Sequence, residues 1–153
     1  MALPDIFSKP TVDALIRRIH QLSPATTPLW GKMTADQMLA HCNVSYEYVF
    51  EPEKYKPTPA IIKLVLKLFL KDKVVNEAPY KQNTPTGPDF KITARKDFEA
   101  EKARLIHFLE KVADLGPAHF EGKNSHSFGK LTATEWNNMF YKHLNHHLSQ
   151  FGV

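Results

Sequence analysis

The 153-residue chain is predicted to be all-α, a four-helix bundle, on three observations. Four segments carry apolar residues at helical spacing, two of them open with a capping-box sequence, and no stretch alternates apolar and polar residues for long enough to make a useful strand. Amphipathic helices of this length bury their stripes against one another around a shared core. A chain of this size is most simply one domain, residues 1–153, and can fill a core without disulfides or a structural metal.

The first helical segment begins near Thr11 as N-cap and runs through Val12, Leu15, Ile16, Ile19 and Leu22 to a stop at Ser23-Pro24. Thr34-Ala35-Asp36-Gln37 announces the second, because Gln37 can reach back to the Thr34 amide. Its inner face reads Met38, His41, Cys42, Ser45 and Tyr48, and it ends before Glu51-Pro52. The third spans about Arg95 to Leu115, with Phe98, Leu105, Leu109 and Val112 on one stripe and Gly116-Pro117 as the stop. Thr132-Ala133-Thr134-Glu135 opens the fourth, which turns Trp136, Met139, Phe140, His143, Leu144, His147 and Leu148 inward and is terminated by Gly152.

The connection between the second and third segments, about Glu51 to Thr93, is longer than antiparallel neighbours need. Such a crossover lets successive helices run parallel. Inside it, Pro59 to Lys71 reads as an extra helix with Thr58 as cap and Pro59 at the first position, and the proline-rich loop Glu77–Pro88 could lid one end of the bundle. In the extra helix Lys63, Lys67 and Lys71 form one basic stripe, while Ile61, Ile62, Leu64, Val65, Leu66, Leu68, Phe69 and Leu70 cover the remaining circumference. A helix that apolar is expected to be buried on more than one side. Packing on the bundle with lysines outward is the first expectation, and a homodimer interface the second. Binding to a membrane surface is not expected, because the apolar arc is too wide for the usual interfacial helix.

Charge and composition narrow the partners. The net charge is +4, but the lysines are scattered, arginines are few, and no zinc-finger or aromatic-plus-arginine signature accompanies them, so nucleic acid is not an expected partner. The single cysteine, Cys42, excludes an intrachain disulfide and suits a reducing compartment. The N-terminus lacks the pattern of a signal peptide, and the stretch Pro59 to Leu70 is too short to span a bilayer, so the expected location is the cytoplasm. Nucleotide and serine-hydrolase chemistry find no support, since there is no P-loop, no GxGxxG and no nucleophile elbow.

The chemistry is concentrated in histidines. His143 and His147 are four residues apart, about 400° around a helix, so both imidazoles leave one face roughly 5–6 Å apart at Cβ and can grip one transition metal. His41 lies mid-way along the second segment. Three neutral imidazoles from two helices would leave coordination positions open, as in a catalytic rather than a structural site. Bland readings stand beside this one: the pair can simply cover surface or favour a helix C-terminus, and a lone His41 among apolar residues can be a satisfied core imidazole. His146 competes with His147 as partner of His143, but the apolar stripe centres nearer His143 and His147. Cys42 is a soft donor, yet about 100° around from His41 it reads as core. His20, His107 and His119 read as surface or interhelical groups, and His126 first as a solvated loop residue, with reach into a pocket the alternative. Gln37, Tyr48, Trp136 and Met139 share the histidines' faces and are candidates for pocket lining, with ordinary core packing the equal alternative. No glutamate follows the first histidine as in HExxH, and no general base or other catalytic residue can be assigned.

Three blocks carry a resemblance. Pro-Leu-Trp-Gly-Lys-Met-Thr-Ala-Asp-Gln-Met-Leu-Ala-His-Cys (28–42), Phe-Gly-Lys-Leu-Thr-Ala-Thr-Glu-Trp (128–136) and Tyr-Lys-His-Leu-Asn-His-His-Leu-Ser-Gln-Phe-Gly (141–152) are similar to the DinB-like superfamily of metalloenzyme-like proteins, and more closely to a subgroup labelled a domain of unknown function. The resemblance covers nearly the whole chain. It implies a bundle of up-down-down-up connectivity and a divalent metal, nickel or zinc, held by His41, His143 and His147. Characterised members of the superfamily include transferases and isomerases that act with low-molecular-weight thiols, which implies such an activity on a small-molecule substrate; a metal-acidified water would make the protein a hydrolase instead. The expected function is therefore a metal-dependent transferase. The alternative is a non-catalytic bundle with a structural or vestigial metal, associating as a dimer through the crossover helix.

Overall fold

Two capping boxes fix where the site-bearing helices begin. In the computed structural model, which describes residues 2–153, the Thr34 amide donates to Gln37 Oε1 (3.0 Å), and helix α2 follows as Ala35–Phe50. Thr132 does the same reciprocally with Glu135, its amide donating to Glu135 Oε2 (2.9 Å) and its hydroxyl accepting from the Glu135 amide (3.2 Å), ahead of a helix over Ala133–Gln150. Each box satisfies amides that the first helical turn leaves without partners.

In chain order the elements are α1 (Lys9–His20), α2, α3 (Ala60–Phe69), α4 (Lys71–Val75), α5 (Phe98–Phe120), the short strands β1 (Asn124–Ser125) and β2 (Gly129–Lys130), and α6 (Ala133–Gln150). The fold is mostly helical, as the apolar periodicity predicts. Helix α1 starts earlier than Thr11: Ser8 is its N-cap and Pro10 sits in the first turn, where its missing N–H costs nothing. Helix α5 starts later than Arg95, because Asp97 accepts from the Ala100 amide (3.0 Å) and caps it. Helical geometry breaks at Gly116 (φ 70°, ψ 172°), the foreseen stop, but Pro117 begins another turn that carries the element on to Phe120. The strands were not expected. They pair antiparallel, Asn124 with Lys130 and Ser125 with Gly129, and two residues each are too few for an alternating pattern to register.

α1 packs on α5 and α6, and α2 packs on the same two helices. The core between them is aromatic and leucine-rich. Tyr46 lies between the rings of Phe108 (5.8 Å) and Phe140 (4.8 Å), with Trp136 and Phe120 continuing the stack and Leu105, Leu109, Leu144 and Leu148 fully buried. A fully buried side chain of this kind contributes about 1.5–3 kcal/mol. Arg104 of α5 binds Glu47 of α2 and Glu51 at its C-cap as well as its own Glu101, tying those two helices together at their edge.

The crossover departs most from expectation. Pro59, rather than Thr58, is the N-cap of α3, and the extra helix breaks at Leu70 before α4. α4 is pinned to α6: Lys142 Nζ donates to the carbonyls of Lys73 (2.9 Å) and Asn76 (2.7 Å), and Asn138 Nδ2 donates to Val75 O (2.9 Å). A cation and an amide thus answer the carbonyls that α4's last turn leaves free. α3 itself is not buried on more than one side. None of its residues is fully buried; Leu66 alone of its large apolar side chains reaches the core, and Lys71, just past its end, is turned inward to Glu135 (2.7 Å). Among the described residues no helix is long and apolar enough to cross a membrane.

Candidate metal centre

His41 belongs to the middle of α2, His143 and His147 to consecutive turns of α6, and the packing of these two helices brings the three rings together. One ring nitrogen from each lies within 4.8 Å of the others. His41 Nε2 and His143 Nε2 are 3.0 Å apart. With metal–nitrogen bonds of about 2.0–2.1 Å, two imidazoles on one ion have nitrogens separated by roughly 2.9–3.4 Å, so this spacing suits a shared cation. His41 and His147 are buried and His143 is partly buried.

The outer nitrogens decide which way the lone pairs point. His41 Nδ1 faces the Phe90 carbonyl at 2.8 Å. A carbonyl can only accept, so Nδ1 carries the proton and Nε2 presents its lone pair to the cluster. His147 Nδ1 faces Gln150 Oε1 at 2.8 Å, and the orientation of that amide is set by its Nε2, which donates to Trp30 O at 2.8 Å. His147 must therefore also donate outward. His143 Nδ1 meets the Ser45 hydroxyl at 3.0 Å, a group that can donate or accept. Ligating histidines are commonly held by such outer partners, which fix tautomer and ring orientation.

Charge follows the same logic. Burial lowers the pKa of all three imidazoles: His41 is lowered, His147 falls to about 3, and His143 lies well below the usual value, its two partners adding to the loss of hydration. At neutral pH the rings are uncharged and their lone pairs available. The cluster contains no carboxylate.

Several residues outside the histidines build this arrangement, and their signals in the sequence differ. Ser45, one turn after His41, is on the inner face that helical phase gives, and Gln150, one turn after His147, could have been flagged by the same spacing. Phe90 could not be found that way. It arrives through the crossover, supplies its carbonyl to His41, and sets its ring edge-on to His41 (5.2 Å) and His143 (5.7 Å). Gly31 explains the Trp-Gly pair of the first motif. Its φ is +82°, and a Cβ there would meet Gln150 Nε2 at 2.6 Å, so only glycine lets the Trp30 carbonyl approach the amide that orients His147.

The four lining candidates divide. Tyr48 donates to Asp89 Oδ2 (2.8 Å) and packs edge-on to Phe90 (5.6 Å), so it braces the segment that roofs the histidines. Gln37 completes its capping box and donates to Thr93 O (3.0 Å), fixing the far end of the same segment. Trp136 is a core residue, 1% exposed, against Phe120 and Phe140, because two turns along α6 carry it deep between the helices. Met139 is partly buried against the same core.

Of the other histidines, His146 stands outside the cluster between the rings of Trp30 and Tyr80 (5.8 Å each). His126 takes the alternative position rather than the solvated one: the β1–β2 turn lays it flat on Tyr48, with ring centroids 3.9 Å apart, beside a cavity. Cys42 is buried with its Sγ towards Met38 (3.7 Å), and burial raises its thiol pKa. The loop after Tyr80 lies open to solvent, so the crossover covers the histidines through Phe90 and not through the proline-rich lid. Two cavities border this region, about 240 Å³ beside Glu47, Asp89 and Arg104, and about 200 Å³ beside Tyr55, Lys63 and His126; neither is lined by the three histidines.

Comparisons with curated proteins and with solved structures find no match. Residues 7–152 match the family described as "Protein of unknown function (DUF1569)". That span takes in both site-bearing helices and the whole crossover, and the chain belongs to this family.

Proposed function

We propose that the protein is a metal-dependent enzyme of the DinB-like type, its four long helices forming an up-down-down-up bundle, and that it transfers a low-molecular-weight thiol to a small electrophilic substrate. The observation that carries this reading is the convergence of His41, His143 and His147 with outward-donating Nδ1 atoms on His41 and His147. Three neutral donors fit nickel or zinc and leave the ion its full charge. When bound, such an ion supplies Lewis acidity, which makes a coordinating thiol or water more acidic.

The chain's own residues prepare the site. Phe90 O and Gln150 Oε1 hold two ring protons away from the centre. Without a cation, Ser45 donates to His143 Nδ1, and His143 Nε2–H donates to His41 Nε2. Moving the His143 proton to Nδ1 turns its lone pair inward, and Ser45 then accepts, so the hydroxyl serves both states. The Phe90 ring lies edge-on against His41 and His143 and so covers one side of the pair.

The test is turnover. Protein loaded with nickel or zinc is incubated with a panel of thiols and small electrophiles and compared with protein stripped by chelator and then reloaded. Thiol consumption that disappears on stripping and returns on reloading is expected. Equal rates in loaded and stripped protein would overturn the reading. A tightly held ion with no turnover of any pair would favour a structural role for it.

A further inference from the structure

Among the helices, α3 stands apart in leaving its apolar side chains uncovered. Ile61, Leu68 and Phe69 are 67–73% exposed, and Ile62, Leu64 and Val65 about half exposed. Residues 61, 64, 65 and 68 recur at i, i+3, i+4 and i+7, so they form one stripe along the helix, facing solvent. The opposite side is occupied. Leu66 packs on the core, and Lys63 borders the cavity beside Tyr55 and His126. An arc too wide for an interfacial helix is thereby narrowed by the fold to one that is not.

The stretch that carries α3 is basic, with the carboxylates Glu53 and Asp72 just outside it. Between positions 54 and 71 there are five lysines and no carboxylate. Lys54 and Lys71 are paired with Glu51 and Glu135, leaving Lys56, Lys63 and Lys67 without a carboxylate partner among the described residues. A second copy suits this face poorly. A ten-residue helix is about 15 Å long and one face of it offers on the order of a few hundred Å². A stable dimer needs about 800 Å² per partner.

We propose that α3 and its flanking lysines dock the protein on a membrane surface rich in anionic phospholipid. The helix lies in the plane of the interface, with Ile61, Leu64, Val65 and Leu68 in the acyl boundary and Lys56 and Lys67 reaching the phosphates. Ten residues are too few to span the bilayer, so the attachment is peripheral and reversible. Apolar burial and lysine–phosphate attraction act together, and salt weakens the second alone.

The experiment is co-sedimentation of the full chain with vesicles of phosphatidylcholine alone or mixed with phosphatidylglycerol, at low and high salt. Two double variants, Val65→Glu/Leu68→Glu and Lys56→Glu/Lys67→Glu, change exposed side chains, and thermal melts check that each still folds. The protein should sediment with the mixed vesicles, more weakly at high salt, and each variant should lose about tenfold or more in partitioning. Absence of binding to mixed vesicles, or binding that Val65→Glu/Leu68→Glu leaves unchanged, would overturn the proposal. So would a dimer, detected by light scattering, that this variant dissolves, since that assigns the face to a second copy.

Discussion

The histidine cluster and helix α3 treat their side chains in opposite ways. Around His41, His143 and His147 polar groups are buried, and each ring's outer nitrogen has a partner. Along α3, the most apolar helix of the chain, large hydrophobic groups are left in solvent. Burying an imidazole costs hydration and exposing a leucine forgoes the gain of burial, so neither region lowers the free energy of the isolated chain as well as ordinary packing would. The contrast locates function where local stability is given up, inward at the cluster for an ion and outward at α3 for a surface.

The largest expected effect is acid sensitivity of the metal-free protein. In the unfolded chain an imidazole takes up its proton near pH 6.5, whereas His147 in the fold does so only near pH 3. Between these values the unfolded state holds more protons, so stability falls as pH is lowered through that window and levels off above it. For His147 alone the loss at the acid end is on the order of 5 kcal/mol. Urea midpoints measured from neutral to acid pH would show it, and His147→Gln should flatten the profile; an unchanged profile would mean that the ring is not held neutral by burial.

Next come paired truncations on the two sides of the contrast. Leu144→Ala removes a fully buried side chain beside the cluster and should cost about 2–5 kcal/mol in denaturant unfolding. Removing the amide that orients His147, with Gln150→Ala, should weaken zinc or nickel affinity about 10–100-fold, as loss of such outer partners does. Gly31→Ala should move affinity the same way, because its methyl group displaces that amide. A titration in which both variants bind as tightly as wild type would remove the outer contacts from the account. The smallest effect belongs to Leu68→Ala, 68% exposed, which should shift stability by less than about 0.5 kcal/mol in the isolated protein. A larger loss would show that α3 is covered in solution and would break the comparison.

Legibility in the sequence followed locality. The capping boxes at Thr34/Gln37 and Thr132/Glu135 and the His143/His147 pair depend on contacts three or four residues apart, so pattern alone reveals them. His41 could be placed on the inner face of its helix by phase, but its meeting with α6 is a long-range contact that spacing could only suggest and that the resemblance of the motif blocks strengthened. Phe90 was invisible, since nothing in the loop around it indicates that its carbonyl ends beside His41. Trp136 could be given a face but not a choice between pocket and core, for periodicity gives direction around a helix and not distance from a site. The covering of α3 was misjudged for a related reason: an apolar helix shows that something must lie against it, and not that the something is this chain.

The most direct test of the central claim is metal content. Wild type and His143→Ala/His147→Ala, folded to the same extent by circular dichroism, would be dialysed against zinc or nickel and analysed for bound metal. Wild type should hold about one ion per chain and the double variant almost none, as expected for loss of two of three ligands. Equal stoichiometry in the two proteins would contradict the assignment.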